Sequence, residues 1–383
     1  MHEFHHILRL TVEKTSRFVS TIVLIIHLTV VLFFIGACTS NHNFQGHLEI
    51  KNDESEELLL KSSSKYIDSI YSPLLSIVDS IALFYSTNNG TAYEAVKLST
   101  GNKIGSFCPI GHGQGEYISI SPIRQIYQEK NEYKAILFAP NESKLLIWNI
   151  SESLRFGRTV YEYIGDYSWK DKYPVSYSKQ AIIGNDSILF YTPSVHISSR
   201  DQLTNPTYQI RTLKSNEQIK EYQIFNSSIE NKGSQILPES FLDASFSLKP
   251  DRNQFVEAMN WLPQINIVNV KTGRIEGYRI ANIQNEDVFS TNMENALFCY
   301  KCVVSDNQFI YALWAGKKKG DLHPDIGYQT IHIYDWNGNL ICKYQLEYGI
   351  NELAIDVQDE TLYGWNIDQQ KIYRYDLTAL KTL

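Results

Sequence analysis

Short apolar runs closed by Asn, Asp, Gly and Ser recur from about Ile67 to the C-terminus, and helical spacing of apolar residues is scarce. One kind of segment is a polar turn followed by an apolar strand. It occurs six times, at residues 79–85, 131–138, 185–191, 251–258, 306–313 and 359–365. A second kind, a strand running into a turn, follows each copy, at 96–101, 146–150, 209–213, 267–273, 333–338 and 372–377. Its matching positions are Leu98, Ile150, Leu213, Val270, Trp336 and Leu377, spaced by 52, 63, 57, 66 and 41 residues. Such spacings centre on the length of a four-stranded sheet with its loops. Alternation at Ile331 and Ile333 builds a buried strand face, while Thr272-Gly273 and Asn337-Gly338 supply turns that tolerate positive φ. One small sheet cannot bury both of its faces, so neighbouring sheets must stack. Six stacked about an axis close a ring and leave only short edges. A large β-sandwich also shows strands and turns at regular spacing, but six paired copies favour a six-bladed β-propeller over 65–383. The last copy ends six residues before Leu383, which leaves the sixth blade short of an outer strand. A strand drawn from residues 45–70 would fill that gap and lock the ring.

Upstream of the repeats the pattern is different. Arg9, Lys14 and Arg17 precede an almost uncharged stretch from Phe18 to Gly36, interrupted by His27. A basic flank, an apolar core and small residues before a cut describe a secretion signal. The closing Ile35-Gly36-Ala37-Cys38 resembles the lipobox of bacterial lipoproteins. That resemblance implies cleavage after residue 37 and a lipid on Cys38, against the alternative of a permanent anchor about 20 residues long. Residues 1–37 are therefore read as a lipoprotein signal peptide. Residues 38–64, polar and acidic around Asp53-Glu54-Ser55-Glu56-Glu57, are read as the lipidated cysteine and a tether that contributes at most one short strand.

The mature chain has 346 residues, with 32 basic and 40 acidic side chains. It carries no long basic run, Lys317-Lys318-Lys319 being brief, so phosphate neutralisation on the scale a nucleic acid needs is excluded. Twenty-five Tyr against three Met suit pleated strands rather than helices. Cys108, Cys299, Cys302 and Cys342 remain after Cys38, and an oxidising compartment permits three pairings among them.

Residues 99–105 (Ser-Thr-Gly-Asn-Lys-Ile-Gly), 111–117 (Gly-His-Gly-Gln-Gly-Glu-Tyr), 331–339 and 362–365 together resemble the TolB-like six-bladed propeller lipoproteins of Gram-negative bacteria. The likeness spans most of the mature chain and implies a fold and an address in the cell envelope rather than a reaction. His112 and Gln114 depart from the basic residue and the proline expected at those places.

Candidate chemistry is sparse. Gly111-His112-Gly113-Gln114-Gly115-Glu116 has the glycines of a phosphate cradle, but extended residues ending at Pro122 follow where a helix would be needed. It is better read as a loop between blades in which Glu116 accepts from backbone N–H groups. Cys299-x-x-Cys302 lies in a strand, where residues three apart diverge, so neither redox nor zinc use is expected. Asp335-x-Asn337-x-Asn339 lacks the glycine and distal glutamate of a calcium loop. Ser62-x-x-Lys65 and Ser176-x-x-Lys179 are two-residue matches with no helix start. No catalytic residue, metal site or cofactor is assigned.

His112, Gln114 and Glu116, with His196 and Arg200 in the long insertion 192–208 and His323 in 315–328, are the candidate ligand-contact residues, because propellers gather binding groups in loops. The expected function is a ligand- or protein-binding module, tethered to the membrane through lipid on Cys38. Its expected place is the outer membrane, facing the periplasm or the cell surface. Candidate partners are a glycan, a peptide or an envelope protein. A propeller hydrolase or lyase acting on an extracellular polymer and an envelope scaffold are the alternatives.

Overall fold

The computed structural model describes residues 44–377 apart from 68–71, 73, 87–89, 167–178, 193–195, 198–201, 204–206, 226–241, 282, 284–292, 323–326, 357 and 359–360. Six antiparallel sheets form the blades of a propeller. Their innermost strands are Leu74–Val78 (blade I), Ile126–Glu129 (II), Gln180–Gly184 (III), Ala244–Leu248 (IV), Leu297–Ser305 (V) and Glu352–Asp356 (VI). The second strands are Ile81–Tyr85, Glu132–Ala139, Ser187–Thr192, Gln254–Met259, Phe309–Lys318 and Thr361–Asn366. The third are Thr91–Lys97, Lys144–Asn149, Thr207–Thr212, Gln264–Asn269, Tyr328–Asp335 and Lys371–Asp376. The two kinds of segment repeated in the sequence are these second and third strands.

Second strands read as continuous apolar runs because both of their faces are buried. In blade II, Ala135 and Leu137 pack towards blade I while Ile136 and Phe138 pack towards blade III. In blade V, Ile310 and Ala312 face blade IV, and Tyr311 and Leu313 face blade VI. Each pair of neighbouring blades shares one such apolar cluster, so burial runs around the ring. Burial of this kind contributes about 25 cal/mol per Å² of apolar surface.

Tight turns set the register. Asp79-Ser80 and Lys130-Asn131 both hold positive φ, the conformation of a two-residue hairpin whose twist matches its strands. Gly338, at φ +75°, is constrained further, since a Cβ there would lie 2.1 Å from the Tyr278 ring of blade IV.

The N-terminal segment closes the ring. Residues 44–66, whose composition reads as tether, supply three strands: β1 (His47–Lys51), β2 (Glu56–Leu60) and β3 (Ser62–Tyr66). β3 pairs antiparallel with Lys371–Asp376 and is the missing outer strand of blade VI. β1 adds a parallel fifth strand to blade IV, and β2 does the same for blade V. The segment thus wraps the outside of three consecutive blades. A short helix that the pattern did not predict, α1 (Ile150–Phe156), is inserted in blade II between its third strand and its outer strand Tyr161–Asp166. Asn149 caps it by accepting from Glu152 N at 2.9 Å, and Gly157 ends it in the left-handed region.

All four cysteines described are free and buried, so none of the permitted disulfides forms. Cys299 packs between blades IV and V and Cys302 between V and VI, diverging as strand geometry requires. Asp335 accepts from the backbone N of Asn337 and Asn339, at 2.9 and 2.8 Å, which makes that motif a turn. His332 is core: its ring stacks on Trp314, with centroids 4.7 Å apart, and its Nδ1 lies 3.2 Å from Tyr300 Oη.

Candidate functional site in the axial cavity

Because each innermost strand flanks the axis, side chains far apart in sequence meet there. A cavity of about 450 Å³ is lined by the inner-strand regions of blades I, II, IV, V and VI. One end carries Arg124 and Glu352, and the other lies towards the turns joining first to second strands, where Asp79, Lys249, Arg252 and Asp356 gather.

Arg124 is aimed by its neighbours. Tyr93, wholly buried in blade I, donates from Oη to Ser121 O at 3.1 Å and accepts from Ile123 N at 2.7 Å. Gln125 then bonds both backbone groups of Ile182, accepting from N at 2.7 Å and donating to O at 3.0 Å. Blades I and III therefore grip the chain on either side of Arg124, whose side chain is exposed to the cavity. Burial is the main cause that raises the Tyr93 phenol well above its usual range, which keeps it a hydrogen-bonding hydroxyl at every working pH.

Glu352 opens the inner strand of blade VI. Desolvation in the channel pushes its carboxyl up to about 7, against the opposing pull of Lys301 and Arg124. Lys301 lies on the inner strand of blade V with its side chain exposed. No hydrogen bond or ion pair to a described side chain holds the Glu352 carboxyl. A titratable carboxyl near neutrality, in a cavity, facing two cations it does not touch, is the arrangement expected of a functional group. At the other end of the cavity, Tyr133 of blade II donates to Gln358 Oε1 of blade VI at 2.5 Å, and Gln358 donates to Gln128 at 3.0 Å. The Arg252 guanidinium sits 5.3 Å from the Tyr127 ring centre. Among the described residues no group of three His, Cys, Asp or Glu side chains could hold a metal ion.

The residues singled out in the sequence lie elsewhere. His112, Gln114 and Glu116 are exposed on the crossover from blade I to blade II, and Glu116 accepts from Gly113 N at 2.8 Å. That crossover lies beside the 140–143 hairpin, through bonds from Ile118 N to Glu142 and from Ser119 to Asn141, and does not line the cavity. His196 belongs to a two-residue strand, His196–Ile197, whose side chains are outside the description, and Arg200, His323 and Cys38 lie outside the described residues. Ser62 and Lys65 are part of β3. Ser176 is not described, and Lys179 is bound to Glu257.

Arg124, Lys301 and Glu352 carried one faint signal. Arg124 and Glu352 stand seven residues ahead of the repeat turns at Asn131 and Asp359, and Lys301 five ahead of Asp306. Those positions lie on the inner strands or just ahead of them, the elements that flank the axis.

The TolB-like six-blade propeller-like family model matches residues 52–359, and the chain belongs to that family. The family is typically periplasmic or envelope-associated, and its six-bladed ring fits a binding or scaffold module. No curated protein matches. Among solved structures, a DUF4221-family protein from Bacteroides vulgatus aligns with a TM-score of 0.57 at 12% identity, over 85% of this chain and 98% of that one, a likeness of fold. A putative exported protein from Bacteroides fragilis aligns at 14% identity with a TM-score of 0.46, over 86% and 98% respectively.

Proposed function

We propose that this protein is a lipid-anchored binding module of the cell envelope whose ligand occupies the axial cavity. The observation that carries this is the Glu352 carboxyl, which lines the axial cavity together with Arg124 and makes no ion pair with a described side chain. Small-molecule sites are concave, ~300–1,000 Å³, mostly apolar with a few placed polar groups, and the axial cavity has that size and mixture. A ligand rich in hydroxyl or amide groups, as a glycan or a peptide is, would accept from Arg124 and donate to Glu352. Lipid on Cys38 in the outer membrane would hold the ring close to envelope polymers. The test is a thermal-shift screen of the full chain in detergent against glycans and peptides, repeated with Arg124→Ala and Glu352→Gln. A ligand that raises Tm in the wild type and fails to do so in either variant supports the axial site. A shift that survives both variants places binding outside the cavity, and the absence of any shift favours an envelope scaffold.

The same carboxyl supports a second reading. A group poised near 7 suits general acid–base work, so a hydrolase or lyase acting on an extracellular polymer is the alternative. Release of new chain ends from a polymer by the wild type, abolished by Glu352→Gln, would select it over simple binding.

A further inference from the structure

Away from the axis, a second cavity of about 320 Å³ lies between the outer parts of blades IV and V. Its roof is the N-terminal segment, from Lys51 at the end of β1 to Glu56 at the start of β2. Arg279, on the outer strand of blade IV, lines it. The Arg279 guanidinium has an unusual set of partners. Its Nε and Nη2 both donate to one neutral oxygen, Gln264 Oε1, at 2.9 and 2.7 Å. Gln264 is completely buried and is itself fixed by donating to Asn266 at 2.6 Å, so this amide cannot turn away. Among the described residues no carboxylate reaches ion-pair distance of Arg279. The Cys299 thiol acts on it electrostatically, and burial drives that thiol's own pKa upward. The rest of the guanidinium fork is left to the cavity.

Burying a cation without a counter-charge is costly, and evolved interiors pair such groups or leave them for a ligand. Lys51 adds a second positive group on the roof, donating to Asn339 at 2.8 Å, lying 4.6 Å from the Tyr278 ring centre and 3.6 Å from the half-exposed Glu49 carboxylate. Glu54 and Glu56 are exposed along the same roof, where they repel highly charged anions. We propose that the cleft between blades IV and V binds a small, singly charged carboxylate of sugar-acid size, gripped by Arg279 and Lys51 beneath the N-terminal segment. The planar guanidinium matches a carboxylate in a two-point contact. Occupancy would also tie β1 and β2 to their blades, since the roof closes over the ligand. The site is separate from the axial cavity and stands or falls independently of it.

Calorimetric titration of the full chain in detergent tests this, with glucuronate as probe, glucose as neutral control and inorganic phosphate as polyanion control. Saturable binding of glucuronate but not glucose is expected, weakening by about 10- to 100-fold in Arg279→Met. That variant strands the buried Gln264 Oε1, so a lowered Tm is expected, and its affinity is read below that Tm, where circular dichroism shows it folded. Lys51→Met, on the solvent side, should weaken binding several-fold. Glucuronate should also slow amide hydrogen exchange across His47–Leu60. Absence of saturable binding in the wild type, unchanged affinity in both variants, or tighter binding of phosphate than of glucuronate would each overturn the assignment.

Discussion

Lys179 and Glu257 form an ion pair across the interface of blades III and IV, 2.6 Å apart, with side chains 7% and 4% exposed. Tyr208 donates to the same carboxylate, and the Lys179 ammonium lies 4.1 Å from the Tyr191 ring centre. The desolvation of both charges offsets most of their attraction, so the pair's worth lies in its completeness. Removing either partner strands the other. Lys179→Met and Glu257→Leu are each expected to cost about 3–5 kcal/mol, whereas the double variant should lose only about 1–3 kcal/mol, that of the stranded Tyr208 hydroxyl. Urea unfolding of the four proteins in a double-mutant cycle measures this, and additive losses would refute it.

Stability should respond to pH through two buried groups of opposite sign. Glu352 has a carboxyl raised from its usual value of 4.5 to about 7, so the folded state holds its proton more tightly than the unfolded chain. Its contribution is complete below pH 4.5 and is lost as pH rises to 7, on the order of 2–3 kcal/mol. His332 is depressed from 6.5 to about 3 by burial, with Lys343 assisting and Asp53 opposing. For that group stability falls as pH drops below 6.5, because the unfolded imidazole takes up a proton that the folded one refuses. Between pH 4.5 and 6.5 the two slopes oppose each other, so denaturant midpoints of Glu352→Gln should rise with pH over that window, where those of the wild type stay nearly flat. That variant should be more stable than the wild type at pH 8. An unchanged slope would show that Glu352 titrates normally.

What was legible in the sequence follows from what is buried on two sides. Ile136, Leu137 and Phe138 leave no polar gap, and such runs, each announced by a turn residue such as Asn131, disclosed the second and third strands and hence the number of blades. The outer strands were harder to read. Asn102–Pro109 exposes Ile104 and carries Lys103, because it packs on one side only. β3, with three serines, gives no apolar signal at all, and its strand character comes from the ladder offered by Lys371–Asp376. A need for that strand could still be inferred, since the last blade ran out of chain. The axial site was hidden for a different reason: Arg124, Lys301 and Glu352 are brought together by ring closure, which local periodicity does not encode.

Ring closure by the N-terminal segment makes a sharp truncation series. A chain starting at residue 44 retains β1, β2 and β3 and should unfold at the same urea concentration as the full chain. One starting at residue 62 loses the parallel strands on blades IV and V, including Leu60, which is buried in the V–VI cluster. One starting at residue 68 also strips β3 and leaves the third strand of blade VI as an open edge. The expected order is a modest loss of midpoint at 62 and loss of cooperative folding at 68, read by circular dichroism and size-exclusion chromatography. Equal midpoints for all three would mean that the ring closes without its N-terminal strands.

Gly338 joins a conformational requirement to a steric one. Its φ of +75° is costly for any residue with a Cβ, and the added atom would lie 2.1 Å from Tyr278 Cδ2 on the neighbouring blade. Left-handed φ alone accounts for about 1 kcal/mol, and displacing a packed ring adds a cost of overpacking, typically about 1–3 kcal/mol. Gly338→Ala is therefore expected to lose about 2–4 kcal/mol. Tyr278→Ala should relieve only the steric part, so that adding Gly338→Ala to it costs about 1 kcal/mol. The same two residues border the cavity between blades IV and V, so displacement of the Tyr278 ring should also move the Lys51 ammonium that rests on it. Nuclear magnetic resonance of the Lys51 side chain, with the urea midpoints of the four proteins, separates the outcomes. A full loss that persists in the Tyr278→Ala background would assign the whole cost to the backbone, and an unmoved Lys51 would show that the ring had not shifted.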